Sequence, residues 1–357
     1  MKYTLLLNST GDGPRDLRES IAMTNLLNRL AFALPSVRRL IAENRLLRLE
    51  AQNAVSKVAG EAENLWVPAG HFYSPLVDPA DQAVQGSIDL ENHPTAKPES
   101  FGISEAEMLR WFDIVAEQYK SQPFPETSSP GSRYYYSNPN FPLADALALR
   151  AFMVTRGPKR FVEIGAGFSS CAAIDINDRC MNGEVEMTFI EPHPELALEL
   201  ICPEGMRGDP RYRDRFLKTR LQDVSLEIFR SLEKDDILFI DSSHVGKTGS
   251  DVLDYLFRVL PCLKPGVLVH IHDIFYPFEY PGAWIAGENR SWNEAYFLRA
   301  FLEGNRSFRV LYLSDWFYKC RRPLVESKMP LCISHRGGSI WIEKQAPEFQ
   351  DAVRGAW

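Results

Sequence analysis

The sequence predicts an α/β fold, a mostly parallel sheet with helices on both faces, behind a helical and irregular N-terminal extension. Three observations carry this prediction. From Lys159 onward, short apolar runs alternate with helical segments, the order that calls for parallel strands joined by crossover helices. The first run ends in a tight Gly165-Ala166-Gly167 turn, the kind of strand-to-helix junction such sheets use beside a ligand. The 357 residues are 45% hydrophobic and 24% charged, an ordinary globular balance in a chain long enough for two domains or one with a large extension.

Taken in order, residues 1–100 are expected to form the extension and 101–357 the sheet-bearing domain, with its core over about 159–344. Within 16–64, apolar residues recur at Leu26, Leu27, Leu30, Ala33, Leu34, Val37, Leu40 and Ile41, then at Leu46, Leu47 and Leu49, a helical period. Pro35 breaks or kinks that helix, because it lacks an N–H and crowds the preceding turn. Arg29, Arg38, Arg39, Arg45 and Arg48 give it a basic face. Heptads are not sustained, so the pattern favours an amphipathic helix covering its own core or a sister subunit over a coiled coil. A homo-oligomer formed through this helix is the expected assembly. Residues 65 to about 100 lack periodicity and read as an irregular segment with several turns, while Trp66, Phe72 and Tyr73 argue against disorder.

Ser104 followed by Glu107 gives the capping-box pattern at the head of a helix over 104–119, and a second helix is expected over 143–155. FVEIGAG, EMTFIEP, RFLKTR, DILFIDS and GVLVHIHDI then read as strands by their length, branched residues and turn-like borders, with helices near 169–178, 194–201, 224–233 and 250–261. A helix near 292–302 precedes two closing strands, FRVLYLS at 308–314 and GSIWIEK at 338–344.

Composition removes several function classes. Forty basic against 47 acidic residues give a formal charge of −7, so nothing global attracts the chain to nucleic acid or anionic lipid. The cysteines, at 171, 180, 202, 262, 320 and 332, form no C-x-x-C pair, which speaks against zinc ribbons and thioredoxin-type sites. The apolar stretch at 3–7 is too short for a signal peptide, and no window approaches the roughly 18 apolar residues of a membrane span. The expectation is a reduced, soluble, cytoplasmic protein.

In sheets of this kind the ligand lies outside the carboxyl ends of the strands, where strand order reverses. The first strand ends in Glu163-Ile164-Gly165-Ala166-Gly167-Phe168-Ser169-Ser170. The glycines permit a tight turn and close backbone approach, and the following helix offers free N–H groups. A dinucleotide fingerprint would place a third glycine at 170, where serine stands, and Glu163 suits a cationic amino-acid ligand better than a phosphate. Glu191 closes the second strand and can accept both hydroxyls of a ribose.

FVEIGAGFSS and FIEPHPE resemble the glycine-rich and acidic motifs of the class I S-adenosylmethionine-dependent methyltransferases, and Leu221-Gln222-Asp223 is similar to their adenine-reading position. DDILFIDSSH and LKPGVLVHIHDI resemble their fourth and fifth strands, and the resemblance spans about 141–344. It implies a Rossmann-like, seven-stranded sheet with an antiparallel last strand and S-adenosyl-L-methionine as cofactor. It further implies that Glu163, Gly165 and Gly167 approach the methionine moiety, Glu191 the ribose and Asp223 the adenine. Ser169 at the helix head and Asp241 at the end of the fourth strand complete the expected cofactor-binding set.

On the acceptor side, Asp241 is followed by Ser242, Ser243 and His244, and the fifth strand ends in His270, His272 and Asp273. Asp241, His244, His272 and Asp273 should converge beside the transferred methyl, with His270 and His272 sharing one face of the strand. Two readings remain open. One is general-base catalysis by His244 or His272, since imidazole titrates near neutrality. The other is a divalent metal, Mg²⁺ or Mn²⁺, on Asp241, His272 and Asp273. Metal-dependent members of the resembled class place two acids after the fifth strand, whereas this chain has a His-Asp pair, and Mg²⁺ prefers oxygen ligands.

Tyr276, Glu279, Tyr280, Trp284 and Trp292 follow the fifth strand and can stack on a ring and bind hydroxyls, with Arg133 and Tyr134 to Tyr136, Tyr135 above all, closing the site from the other side. His71, Phe72 and Tyr73 could add a lid. The expected activity is methyl transfer to a hydroxyl, or an amine, of a small molecule such as a sugar or natural-product scaffold. Two alternatives stand beside it: an NAD-dependent oxidoreductase using Gly165 and Gly167, and a non-catalytic adaptor acting through the N-terminal helix.

Overall fold

The apolar runs from residue 160 onward fold as one seven-stranded sheet: β1 (Arg160–Ile164), β2 (Glu186–Ile190), β3 (Phe216–Leu217), β4 (Ile237–Ile240), β5 (Leu268–His272), β6 (Phe308–Leu313) and β7 (Ser339–Lys344). Its order is β3-β2-β1-β4-β5-β7-β6. The pairs from β3 to β5 are parallel, and β7 runs antiparallel to both β5 and β6. The computed structural model describes residues 66–67, 69–201, 212 and 214–346. The basic amphipathic helix expected over 16–64, the Pro35 kink and any oligomer built on that helix lie outside the described residues, as does Cys202. The sheet and residues 69–100 belong to one compact unit, Ala69–Trp357.

Central strands β1, β4 and β5 are buried almost end to end, as parallel strands covered on both faces must be. One cover is the helix Leu143–Arg156, where Phe152 stacks on Trp341 of β7 at 4.0 Å. Phe152 also stacks on Trp111 at 3.9 Å, so the helix Glu105–Lys120 joins the same core. Ser104 caps that helix by accepting from the Glu107 N–H at 3.3 Å. Both helices match their expected spans within a residue.

The expectation of an irregular 65–100 segment needs correction. Residues Gln82–Asn92 form a helix capped by Asp81, and Pro98–Phe101 a 3₁₀ turn. Gly86 and a polar composition hide the helical period, and the helix is held by tertiary packing: a Cβ on Gly282 would lie 2.5 Å from Ile88 Cγ2. The third strand shrinks from the expected RFLKTR to two residues, because only Phe216 and Leu217 pair with β2. Among the described residues no helix is long and apolar enough to cross a membrane, and Cys171, Cys180, Cys262, Cys320 and Cys332 are free thiols.

Candidate active site

Strand order reverses between β1 and β4, and a cleft of 270 Å³ opens there at the carboxyl ends of the strands. Gly165, Glu191, Leu221, Gln222, Asp241 and Ser242 are among its walls. A larger concavity of 830 Å³ lies at the opposite, amino end of β2, away from every candidate side chain.

Gly165 is fixed by the chain itself: its φ is +80°, and a Cβ would stand 1.8 Å from the Asp241 carbonyl oxygen. Gly167 is different, because a Cβ there would meet nothing within 4 Å. Open space beside that turn is what a closely approaching ligand needs. Ser170, in the place of a third glycine, closes the turn: its Oγ accepts from the Gly167 N–H at 3.1 Å and donates to Glu163 Oε2 at 2.8 Å. Ser169 Oγ donates to Glu163 Oε1 at 2.5 Å. Glu163 is therefore enclosed beneath the helix head and does not itself line the cleft. Burial pushes its carboxyl up to about 8; the two serine hydroxyls work against the rise, and the nearby Asp241 and Glu191 carboxylates add to it.

Glu191 accepts from the Ala166 N–H at 3.3 Å and the His193 N–H at 2.8 Å, which orients its carboxylate at the cleft edge with acceptor capacity to spare. Asp223 faces outward, where it pairs with Arg220 at 2.9 Å, and the wall expected from it is supplied by Leu221 and Gln222. Ser242 Oγ is a buried hydroxyl of the cleft wall with no hydrogen-bond partner among the described residues. The open side of Gly167, the spare acceptors of Glu191 and this orphan hydroxyl all fit a polar, nucleoside-bearing cofactor.

Beside the cleft, three of the four expected acceptor-side residues converge. His244 Nε2 lies 3.4 Å from Asp241 Oδ1 and 3.6 Å from Asp273 Oδ2. One ligand atom from each of Asp241, His244 and Asp273 falls within 4.8 Å of the others, a spacing that could hold a cation. His272 takes a different place. Its Nε2 is 3.7 Å from Asp273 Oδ1 and its Nδ1 4.0 Å from Asp145 Oδ2, so it backs Asp273 from the core side. It does stack with His270 at 5.6 Å, as a shared strand face requires. His270 is sealed between Phe239 at 3.9 Å and Trp341 at 4.9 Å.

Electrostatics separate these groups. Burial opposes the charge on His244, but Asp241 and Glu294 outweigh it and hold the imidazolium well above the ordinary histidine range. Asp241 also pays for burial, yet the charges of His272 and His244 keep it below the usual carboxylate range. Burial lifts Asp273 to about 6 against the pull of the same histidines. His272 is raised, its burial overcome by Asp273, Asp241 and Asp145, whereas burial drives His270 well below the usual value and leaves it neutral.

Sequence reasoning missed Glu294. Its Oε2 sits 2.7 Å from His244 Nδ1, and its Oε1 accepts from the Tyr255 hydroxyl at 2.6 Å. No local signal marks it, because it stands 50 residues beyond His244, at the head of the helix expected near 292–302.

The expected acceptor wall narrows. Tyr276 is buried, donating its N–H to Asp315 and its hydroxyl to Ala96 O, and Tyr280 is buried, with its hydroxyl on the Ala295 N–H. Glu279 accepts from the Tyr296 hydroxyl at 2.8 Å. These three serve the protein's own packing, and no ring face is left for an acceptor. Trp292 and Trp284 remain half-exposed, Trp292 against the His244 ring at 4.3 Å, and Arg290 lies over both indoles at 4.3 and 4.6 Å. Tyr135 packs edge-on against Phe168 at 5.6 Å, on the glycine-turn side. Arg133 does not close the site, being buried against Asp175 and Asp178.

The strand order, with its antiparallel β7, defines a class I methyltransferase fold. The family described as a methyltransferase domain matches residues 162–274. A relative, an uncharacterized protein of Archaeoglobus fulgidus, is 34% identical over 175 residues, covering 48% of this chain and 75% of its own length. The chain belongs to the class I S-adenosylmethionine-dependent methyltransferase family. Among solved structures it is similar to the O-methyltransferase TomG of Streptomyces achromogenes, in complex with SAM (14% identity, 68% of this chain and 91% of that one, TM-score 0.35). It is also similar to an O-methyltransferase of Bacillus cereus in complex with SAH (14% identity, 74% and 97%, TM-score 0.34). Scores this low add nothing to what the strand order shows.

Proposed function

We propose that the chain transfers the methyl group of S-adenosylmethionine to a hydroxyl of a small, ring-bearing acceptor such as a sugar or natural-product scaffold. The observation that carries this reading is the sharing of Asp241, which both lines the cofactor cleft and stands 3.4 Å from His244 in the acceptor cluster. When bound, S-adenosylmethionine supplies an electrophilic methyl on a sulfonium. Glu191 accepts from the ribose, while Gly165 and Gly167 give the methionine moiety its close approach. The half-exposed Trp284 and Trp292, with Arg290 across their rings, wall the acceptor side, and Asp241, His244 and Asp273 meet the acceptor hydroxyl. The hydroxyl proton passes to His244 Nε2 as the new O–C bond forms and the S–C bond breaks, a step open only to the neutral ring, which Asp241 and Glu294 confine to pH values above the ordinary histidine range. A hydroxyl suits this cluster because giving up its proton to a neighbouring base as it attacks raises its nucleophilicity.

One observation favours a second reading of the cluster, the 4.8 Å grouping of Asp241, His244 and Asp273. Those three residues, with His244 in place of His272, would hold a divalent ion that orients and acidifies the hydroxyl. A mixed imidazole and carboxylate set suits Mn²⁺ better than Mg²⁺.

Calorimetric titration with S-adenosylhomocysteine, with and without EDTA and with NAD as comparison, tests the proposal. The expected result is micromolar or tighter binding, about −8 kcal/mol, with NAD silent. Binding of NAD instead would turn the assignment toward hydride transfer. Silence from both ligands would move it toward a non-catalytic binding role.

A further inference from the structure

We propose that Glu294 is a positioning residue that, with Tyr255, fixes a proton on Nδ1 of His244 and so presents Nε2 to Asp241, Asp273 and the acceptor. The inference rests on the acceptor-side reading of His244 given above and adds the residues that set its tautomer.

The argument is one of donors and acceptors. Glu294 has no exposed surface, and its two oxygens have separate partners: Oε2 meets His244 Nδ1 at 2.7 Å and Oε1 takes the Tyr255 hydroxyl at 2.6 Å. An ionised carboxylate only accepts, so the ring nitrogen facing it must carry the hydrogen. In the neutral ring the other nitrogen is then the one free to take up a proton or to ligate a cation, the division of labour that a second-layer carboxylate imposes on an imidazole.

The backbone holds the ring to this arrangement. His244 adopts a φ of +59°, the left-handed region that branched and bulky residues avoid. Its carbonyl accepts from the N–H groups of Asn293 and Glu294, each at 3.2 Å. Asn293 Oδ1 accepts from the Gly246 N–H at 2.6 Å. The amino end of the helix Glu294–Leu302 therefore grips residues 244–246 by backbone and side chain together. Trp292 covers one side of the imidazole at 4.3 Å. A glutamine could have bridged Tyr255 and the loop without burying a charge. A carboxylate in that place is explained by the imidazole it faces, because a buried anion is tolerated only when paired.

The test is NMR of protein labelled with ring-¹⁵N histidine, with His244→Asn used to assign the His244 signals among the seven histidines. The expected spectrum contains a strongly downfield proton coupled to His244 Nδ1 and slow to exchange with water. In Glu294→Gln that resonance moves upfield or vanishes, since an amide oxygen is the weaker acceptor. In Tyr255→Phe it persists at a shifted position, because the carboxylate remains. A His244 ring protonated on Nε2 with a bare Nδ1, or an Nδ1 resonance indifferent to Glu294→Gln, would overturn the proposal. If Glu294→Gln gives no folded spectrum, the wild-type and Tyr255→Phe spectra decide by the same criterion. Failed S-adenosylhomocysteine binding beside an intact Nδ1 resonance counts against the proposed activity alone. Normal binding with the wrong tautomer counts against Glu294 alone.

Discussion

At Glu163, two hydroxyl donors and complete burial meet in one carboxyl group, lifted to about 8, so the group is largely protonated at pH 7 before any ligand arrives. The ligand proposed for the adjoining cleft carries an α-ammonium group at its zwitterionic amino-acid end. A positive charge nearby favours the ionised carboxylate and lowers its pKa, so binding should expel a proton. Titrating S-adenosylhomocysteine at pH 7 in buffers of different ionisation enthalpy should show net proton release, and Glu163→Gln should abolish it. A binding enthalpy independent of buffer would contradict this account. Glu163 stood out by its place two residues before Gly165, but its enclosure by Ser169 and Ser170, away from the cleft wall, is a finding of the structure. Glu294 did not stand out, because only the tertiary fold brings it to His244. His272 was misplaced for a related reason: strand alternation gives the face a residue shares, but not how far along the strand end its ring stands from β4.

Among the elements, the strands that build the cleft at the reversal point declared themselves through apolar runs bounded by glycine or acid. The helix Gln82–Asn92 did not, because tertiary bonds hold it where its own pattern is weak. Glu91 on that helix takes Lys319 Nζ at 2.6 Å, and the same ammonium reaches Asp315 at 2.8 Å and the Tyr276 carbonyl at 2.6 Å. One buried cation thus ties the 82–92 helix, the loop after β5 and the helix Ser314–Cys320 together. Lys319→Met would leave two buried carboxylates without their cation, a loss of about 3–5 kcal/mol. Lys328→Met, which removes an exposed pair with Asp113, should change stability by less than about 0.5 kcal/mol. Urea denaturation of both variants measures the contrast. Equal effects would show that the buried cation is not what secures this helix.

Over the whole molecule, the site holds more protons folded than unfolded across a defined range of pH. His244 and His272 are raised above their unfolded value, and so is Glu163. The stability the histidines contribute is fully present below the unfolded histidine pKa of about 6.5 and is lost as pH rises through their folded values. Glu163 acts in the same direction, since the unfolded chain ionises it freely while the folded chain resists until about 8. His270, lowered by burial, acts oppositely, but its contribution is complete once the unfolded ring is neutral. Asp241, Glu107 and Glu343, all lowered, are ionised in both states above pH 6.5 and add no slope there. The sum is a stability that falls between pH 6.5 and 8, by on the order of 1–3 kcal/mol. Chemical denaturation at half-unit steps of pH should show this decline, and Glu163→Gln should flatten part of it. Saturating S-adenosylhomocysteine should do the same where its α-ammonium faces Glu163 and offsets the penalty on the ionised carboxylate. A flat or rising profile would mean that the polar groups around the cleft relax enough on ionisation to cancel their burial. The pH dependence of ligand binding would then have to come from the ligand.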